Sequence, residues 1–226
     1  MTIEEIKKLI AAGKIKPLGN ELKNGKIESK NKKHQYKIFH GWDIARASKT
    51  DNEWGRFNLE LLDSIMNKGY NKESLEKVLQ GVQLHDYHWS WLAKHQETTS
   101  DRYNWFFLDV NGLTEAICLT FHPKQSVFDS SEIFYIEYIA VAPWNRLNPY
   151  QERKFSGLGS VLVQSVCEYF IEKHKYNFRF SLHSVKAAET FYKKIGMTKF
   201  PEHDKENLYY YEMTNPKEYI IKEENV

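Results

Sequence analysis

At 226 residues, with 41% hydrophobic and 27% charged residues, the chain carries enough apolar material for a full core and too much for a disordered segment. The formal net charge is +2, but residues 1–50 hold 12 Lys/Arg against 5 Asp/Glu while residues 51–100 hold 5 against 8. Those lysines are scattered without a compact basic helix, which favours a solvated surface over a nucleic-acid site. No window nears the ~20 apolar residues of a membrane helix, and the first ten residues lack the apolar stretch of a signal peptide. Cys118 falls in an expected strand and Cys167 in an expected helix, so two buried thiols in a reducing cytoplasm are the expectation.

In chain order, residues 2–12 read as a short amphipathic helix with Ile3, Ile6, Leu9 and Ile10 on one side, ended by Gly13. Asn24-Gly25 carries the signature of a tight hairpin turn, and Tyr36 to Trp42 reads as a strand. Phe57, Leu61, Leu62 and Ile65 repeat at helical spacing between Trp54 and Lys68, with Gly69 as the stop. A further helix is expected from Lys72 into the 90s, broken at Gly81. On it, His85 and His88 would sit one turn apart, but no partnering Cys or His pattern accompanies them. An aromatic-rich packing helix is therefore the reading, and no metal is expected.

Asn111-Gly112 separates Tyr103–Val110 from Leu113–Phe121, a strong antiparallel hairpin signal. Ile133 to Val141 is a buried strand. After it comes Lys154-Phe155-Ser156-Gly157-Leu158-Gly159-Ser160, and then apolar residues at helical spacing to His174. Glycines let backbone approach a ligand, and the free N–H groups of a first helical turn favour an anion, so this loop is a candidate phosphate cradle. A strand at Phe178–Leu182, a short helix from Ala187 closed by Gly196, and a tyrosine-rich strand at 207–214 complete the pattern. Strands first and βα units later predict an α+β fold, a mixed and mostly antiparallel sheet flanked by helices.

The strand ending Val141-Ala142-Pro143, the Lys154-x-x-Gly157-x-Gly159 loop and the Ala188…Tyr192-x-x-x-Gly196 segment together resemble the GNAT superfamily of acyl-CoA-dependent N-acyltransferases. The likeness is specific over 133–197 and extends over about 101–213. It implies a GNAT-like domain over 51–226 preceded by a basic extension at 1–50, with splayed parallel strands at the acyl-CoA site. It also implies acetyl-CoA as cosubstrate, a primary amine on a small molecule or protein as acceptor in preference to RNA, no membrane partner, and room for a homodimer. A non-catalytic acyl-CoA-binding or interaction module on the same fold stays open.

By the same resemblance, the backbone of Ile139, Ala140 and Val141 pairs with the pantetheine like an added strand. Phosphate contacts come from the backbone of Phe155, Ser156, Gly157, Leu158, Gly159 and Ser160, with Arg153 and Lys154 beside them. Glu137, four residues before Val141 and on the same face of the strand, is the candidate base, because a carboxylate in an apolar strand needs a reason to be there. An exposed strand-face group or a structural hydrogen bond is the alternative. Tyr192, four residues before Gly196, is the candidate acid that helps the thiolate leave, with helix-to-sheet packing as the alternative. Val185 stands where the family often has Asn, leaving His183 or Ser184 to substitute. The 16 positions from Val141 to Gly157 are roughly twice what the family uses, so 144–153 is an insertion beside the expected acyl site, with Trp144, Asn145, Arg146 and Tyr150 as candidate acceptor contacts.

Overall fold

The computed structural model describes residues 2–215. The described residues form six α-helices, α1 (Ile3–Ala11), α2 (Ile44–Met66), α3 (Lys72–Gly81), α4 (Trp91–Glu97), α5 (Leu158–His174) and α6 (Glu189–Lys194), and eight strands. The strands are β1 (Glu21–Ser29), β2 (Lys32–His40), β3 (Tyr103–Val110), β4 (Leu113–Gln125), β5 (Glu132–Val141), β6 (Phe180–Val185), β7 (Met197–Lys199) and β8 (Leu208–Met213). They form one sheet in the order β1-β2-β3-β4-β5-β6-β8-β7. β5 and β6 run parallel, and the pairs β1/β2, β2/β3, β6/β8 and β7/β8 run antiparallel. This is the mixed, mostly antiparallel α+β architecture expected from the pattern.

The chain packs as two compact units. One comprises the residues up to Ser100 with Trp105–Ile117 and Ala140–Leu162; the other comprises Asp101–Asn104, Cys118–Ile139 and the described residues from Val163 on. In the first, Phe57, Leu61 and Ile65 of α2 are buried at the helical spacing seen in the sequence. α2 starts ten residues before the expected Trp54, because Asp43 caps it by accepting the Arg46 N–H at 2.9 Å. Its first turns bury Ala45, Ala47, Ser48 and Thr50, small residues that leave no apolar period to read. Asp51 then accepts the N–H groups of Trp91 and Leu92 at 2.7 and 3.2 Å, capping α4 from outside.

The hairpin at Asn111-Gly112 forms as expected, both residues having positive φ, +52° and +77°. The one expected at Asn24-Gly25 does not. The turn falls at Lys30-Asn31, at φ +47° and +61°, and Gly25 lies inside β1 opposite Tyr36, where any Cβ would sit 2.4 Å from the Tyr36 Oη. That glycine makes room for a ring. The segment 1–50 thus supplies α1, the two strands β1 and β2 at one sheet edge, and the start of α2.

In the second unit, Phe134 stacks on Phe170 at 4.3 Å between centroids and on Phe180 at 5.5 Å, filling the space beside the parallel pair. Arg179 and Glu212 are buried there as an ion pair at 2.6 Å, and the Met213 carbonyl, Ser126, Asp129 and Ser131 take the remaining guanidinium protons. Cys118 and Cys167 are free and buried, and burial pushes both thiols up. Among the described residues no helix is long and apolar enough to cross a membrane.

Candidate active site

Strand β5 pairs with β6 from Phe134/Phe180 to Ile136/Leu182 and then runs on to Val141 beyond the last paired residue. The ladder lets go where a strand-like ligand would need a free edge. Ile139 and Val141 are half-buried and Ala140 is buried. One group on this stretch is already engaged: the Val141 carbonyl accepts Arg146 Nε at 3.0 Å and Nη2 at 2.6 Å, which uses both its lone pairs. A pantetheine pairing here must use other backbone groups.

The connection from β5 to α5 begins with a 3-10 turn, Pro143–Asn145, whose residues are buried. Three interactions hold it down. The Ala142 N–H donates to the Glu115 carbonyl at 2.8 Å. The side chain of Glu115, wholly buried on β4, accepts Trp144 Nε1 at 2.5 Å and Asn145 Nδ2 at 2.7 Å. Arg146 makes a two-pronged pair with the buried Asp86 and donates to the Gln83 carbonyl at 3.1 Å. Burial pushes the Glu115 carboxyl up, against the pull of Trp144, Asn145 and the Lys154 ammonium 3.4 Å away.

Beyond Arg146 the chain turns outward. Leu147 and Tyr150 are exposed, as are Gln151 to Lys154. Open grooves flank this segment; one of about 670 Å³ is lined by Lys30, Lys32, His34, Arg153, Lys154 and Phe155 among others. The chain returns inward at Phe155, whose ring is buried 5.2 Å from that of His34. Gly157 adopts φ +78° and α5 starts at Leu158. Leu158, Leu162, Val166 and Phe170 form its buried stripe, which anchors the first turn. Gly159 has neither positive φ nor a crowded Cβ position: a Cβ there would meet Val141 Cγ1 at an ordinary 3.7 Å. Strand end and helix start are therefore neighbours, and packing does not require the second glycine.

Glu137, Ile139 and Tyr192 lie in the second unit. Glu137 is half-buried on β5. Two residues before it on the same face, Tyr135 is hydrogen-bonded to His183 Nδ1 at 2.7 Å, and His183 Nε2 meets the His203 carbonyl at 2.9 Å. Since a carbonyl only accepts, Nε2 carries the proton, Nδ1 accepts, and the Tyr135 hydroxyl donates. Burial lowers the His183 pKa and raises that of Tyr135, which keeps both side chains neutral. Both nitrogens of His183 are thus committed, and Ser184 Oγ donates to the Val185 carbonyl at 2.9 Å. Tyr192 on α6 stacks on Tyr211 at 5.9 Å, and burial holds its phenol above the usual range, so it is a proton donor at neutral pH.

Sequence reasoning missed Glu115 and Asp86. The signal for Glu115 was present, a carboxylate in the apolar run 113–121, and the argument applied to Glu137 fits it better. His85 and His88 lie in a turn and not on a helix, because Ser90 caps α4 just after them. Among the described residues no group of three or more His, Cys, Asp or Glu side chains is arranged to hold a metal.

No family model matches the chain, and no curated protein matches its sequence. Solved structures do match. They are mostly GNAT-family N-acetyltransferases. PaiA N-acetyltransferase from Thermoplasma acidophilum, in complex with coenzyme A, is 11% identical over 79% of this chain and 99% of its own, with a TM-score of 0.45. A GCN5-related N-acetyltransferase from Ralstonia eutropha is 16% identical over 76% of this chain and 97% of its own, TM-score 0.40. An uncharacterised protein from Bacillus halodurans is 12% identical over 89% and 95%, TM-score 0.47. At such identities and TM-scores, the functional reading rests on this chain's own residues.

Proposed function

We propose that the protein is an N-acyltransferase that passes an acetyl group from acetyl-CoA to a primary amine by direct attack in a ternary complex. The observation that carries this reading is the junction of β5 and α5: a strand that leaves its parallel partner after Ile136, and a helix entered through Gly157 at φ +78° with the unneeded Gly159 at its first turn. In this reading the backbone amides from Phe155 to Ser160 take the pyrophosphate, Arg153 and Lys154 add positive charge, and Ile139 to Val141 line the pantetheine. The acceptor nitrogen attacks the thioester carbonyl, its proton passes to Glu137 directly or through water, and the C–S bond breaks as Tyr192 gives its proton to the departing thiolate. A cytoplasmic setting, with acyl-CoA at hand and thiols reduced, suits both the donor and the free Cys118 and Cys167.

Thiol release from acetyl-CoA across panels of small amines, peptides and aminoacyl-tRNA tests this. Turnover with one class is expected, with Glu137→Gln and Tyr192→Phe lowering it roughly 100-fold or more while CoA binding is kept. Full activity in both variants removes those roles. Val185 stands where the family often has Asn, and His183 and Ser184 are both committed elsewhere, which favours a second reading, a non-catalytic acyl-CoA-binding or interaction module. Calorimetric binding of acetyl-CoA without turnover on any acceptor selects it.

A further inference from the structure

We infer that Glu115 and Asn145 are positioning residues of the donor site, which together hold the phosphate loop at a fixed height over the sheet. The inference rests on the acyl-CoA reading of that loop. The connection is a two-step strut. The Glu115 carboxylate, acceptor only when ionised, fixes which end of the Asn145 amide faces it: Nδ2 donates to Glu115 at 2.7 Å. Asn145 Oδ1 must then point the other way, where it accepts the Phe155 N–H at 3.0 Å. Phe155 is two residues from the left-handed Gly157 and three from the start of α5. The strut therefore closes the ten positions from Asn145 to Phe155 into a ring, and the exposed stretch within it can vary without moving the amides that follow.

Three details show that the strut is built. Glu115 has no exposed surface and Asn145 is 7% exposed, so neither bond competes with water. Trp144 Nε1 occupies the same carboxylate and its carbonyl takes the Lys154 N–H at 3.4 Å, so the two ends of the exposed stretch are tied twice. Lys154 Nζ, half-exposed and 3.4 Å from the other carboxylate oxygen, links the strut to the basic residue expected beside the phosphates. A residue that only filled core space would need none of this directional bonding.

The test uses CoA by calorimetry and phosphate-free pantetheine by chemical-shift titration on the same folded proteins. Asn145→Ala should weaken CoA tenfold or more and leave pantetheine within twofold. Asn145→Asp, which sets one carboxylate against another, should do the same. Unchanged CoA binding in Asn145→Ala, or equal loss of CoA and pantetheine, overturns the inference. Wild-type protein that binds no CoA removes the donor reading itself and this inference with it. Wild-type binding with an unmoved Asn145→Ala removes only the strut.

Discussion

Residues Pro143 to Arg146 and residues Leu147 to Lys154 belong to one connection, and they behave as different kinds of structure. Trp144, Asn145 and Arg146 are each under 10% exposed and spend their polar atoms on Glu115, Asp86 and the Val141 carbonyl. Leu147 at 62% and Tyr150 at 46% exposed carry apolar surface into solvent, with Tyr150 resting one edge on Phe57. The contrast separates two jobs that an insertion can do. Its buried half fixes the end of β5 and the turn into α5, and only its outer half carries side chains into solvent.

The largest effect expected from breaking this contrast is at Asp86. Asp86→Ala strands a buried guanidinium, and denaturant unfolding should report a loss of about 3–5 kcal/mol. A loss under ~1 kcal/mol would mean that Arg146 finds water and that the inner half is no anchor.

Gly157→Ala comes next. Nothing lies within 4 Å of a Cβ there, so the cost is backbone alone, about 1–2 kcal/mol for an L residue held at φ +78°. It should appear as a lower melting temperature together with roughly tenfold weaker CoA binding.

Glu115→Gln sharpens the comparison through pH. Burial raises the folded pKa of Glu115 above its ordinary 4.5, so the unfolded chain releases this proton first. Wild type is therefore favoured below about 4.5 and loses that advantage as pH rises through the folded value, a slope that the glutamine variant lacks. From pH 4 to 8 the wild-type melting temperature should fall relative to that of the glutamine variant as pH rises; parallel curves would contradict the burial argument. The smallest effect belongs to the outer half. Leu147→Ser should change stability by no more than ~0.5 kcal/mol, and any change in turnover should fall on the acceptor's KM.

The same two halves mark how far the sequence is legible. The outer elements of the site follow from local pattern: an apolar strand, a Gly-x-Gly loop and a helix with Leu158, Leu162, Val166 and Phe170 on one stripe. The strut does not, because Glu115 and Asn145 meet only after β4 and the connection are folded together, thirty positions apart. Local signals also compete. Asn111-Gly112 and Asn24-Gly25 are one dipeptide with two outcomes, decided by Tyr36, whose ring needs the space over Gly25. The first ten residues of α2 are invisible to periodicity because they bury alanine, serine and threonine, and the three-residue β7 is too short to carry a pattern.

The most direct test of the account is a crystal structure of the protein with acetyl-CoA. The prediction is pyrophosphate oxygens within about 3 Å of backbone nitrogens between Gly157 and Ser160, with the pantetheine lying along β5 beyond Ile136. A donor bound elsewhere, with the loop from Lys154 to Ser160 making no phosphate contact, would contradict it.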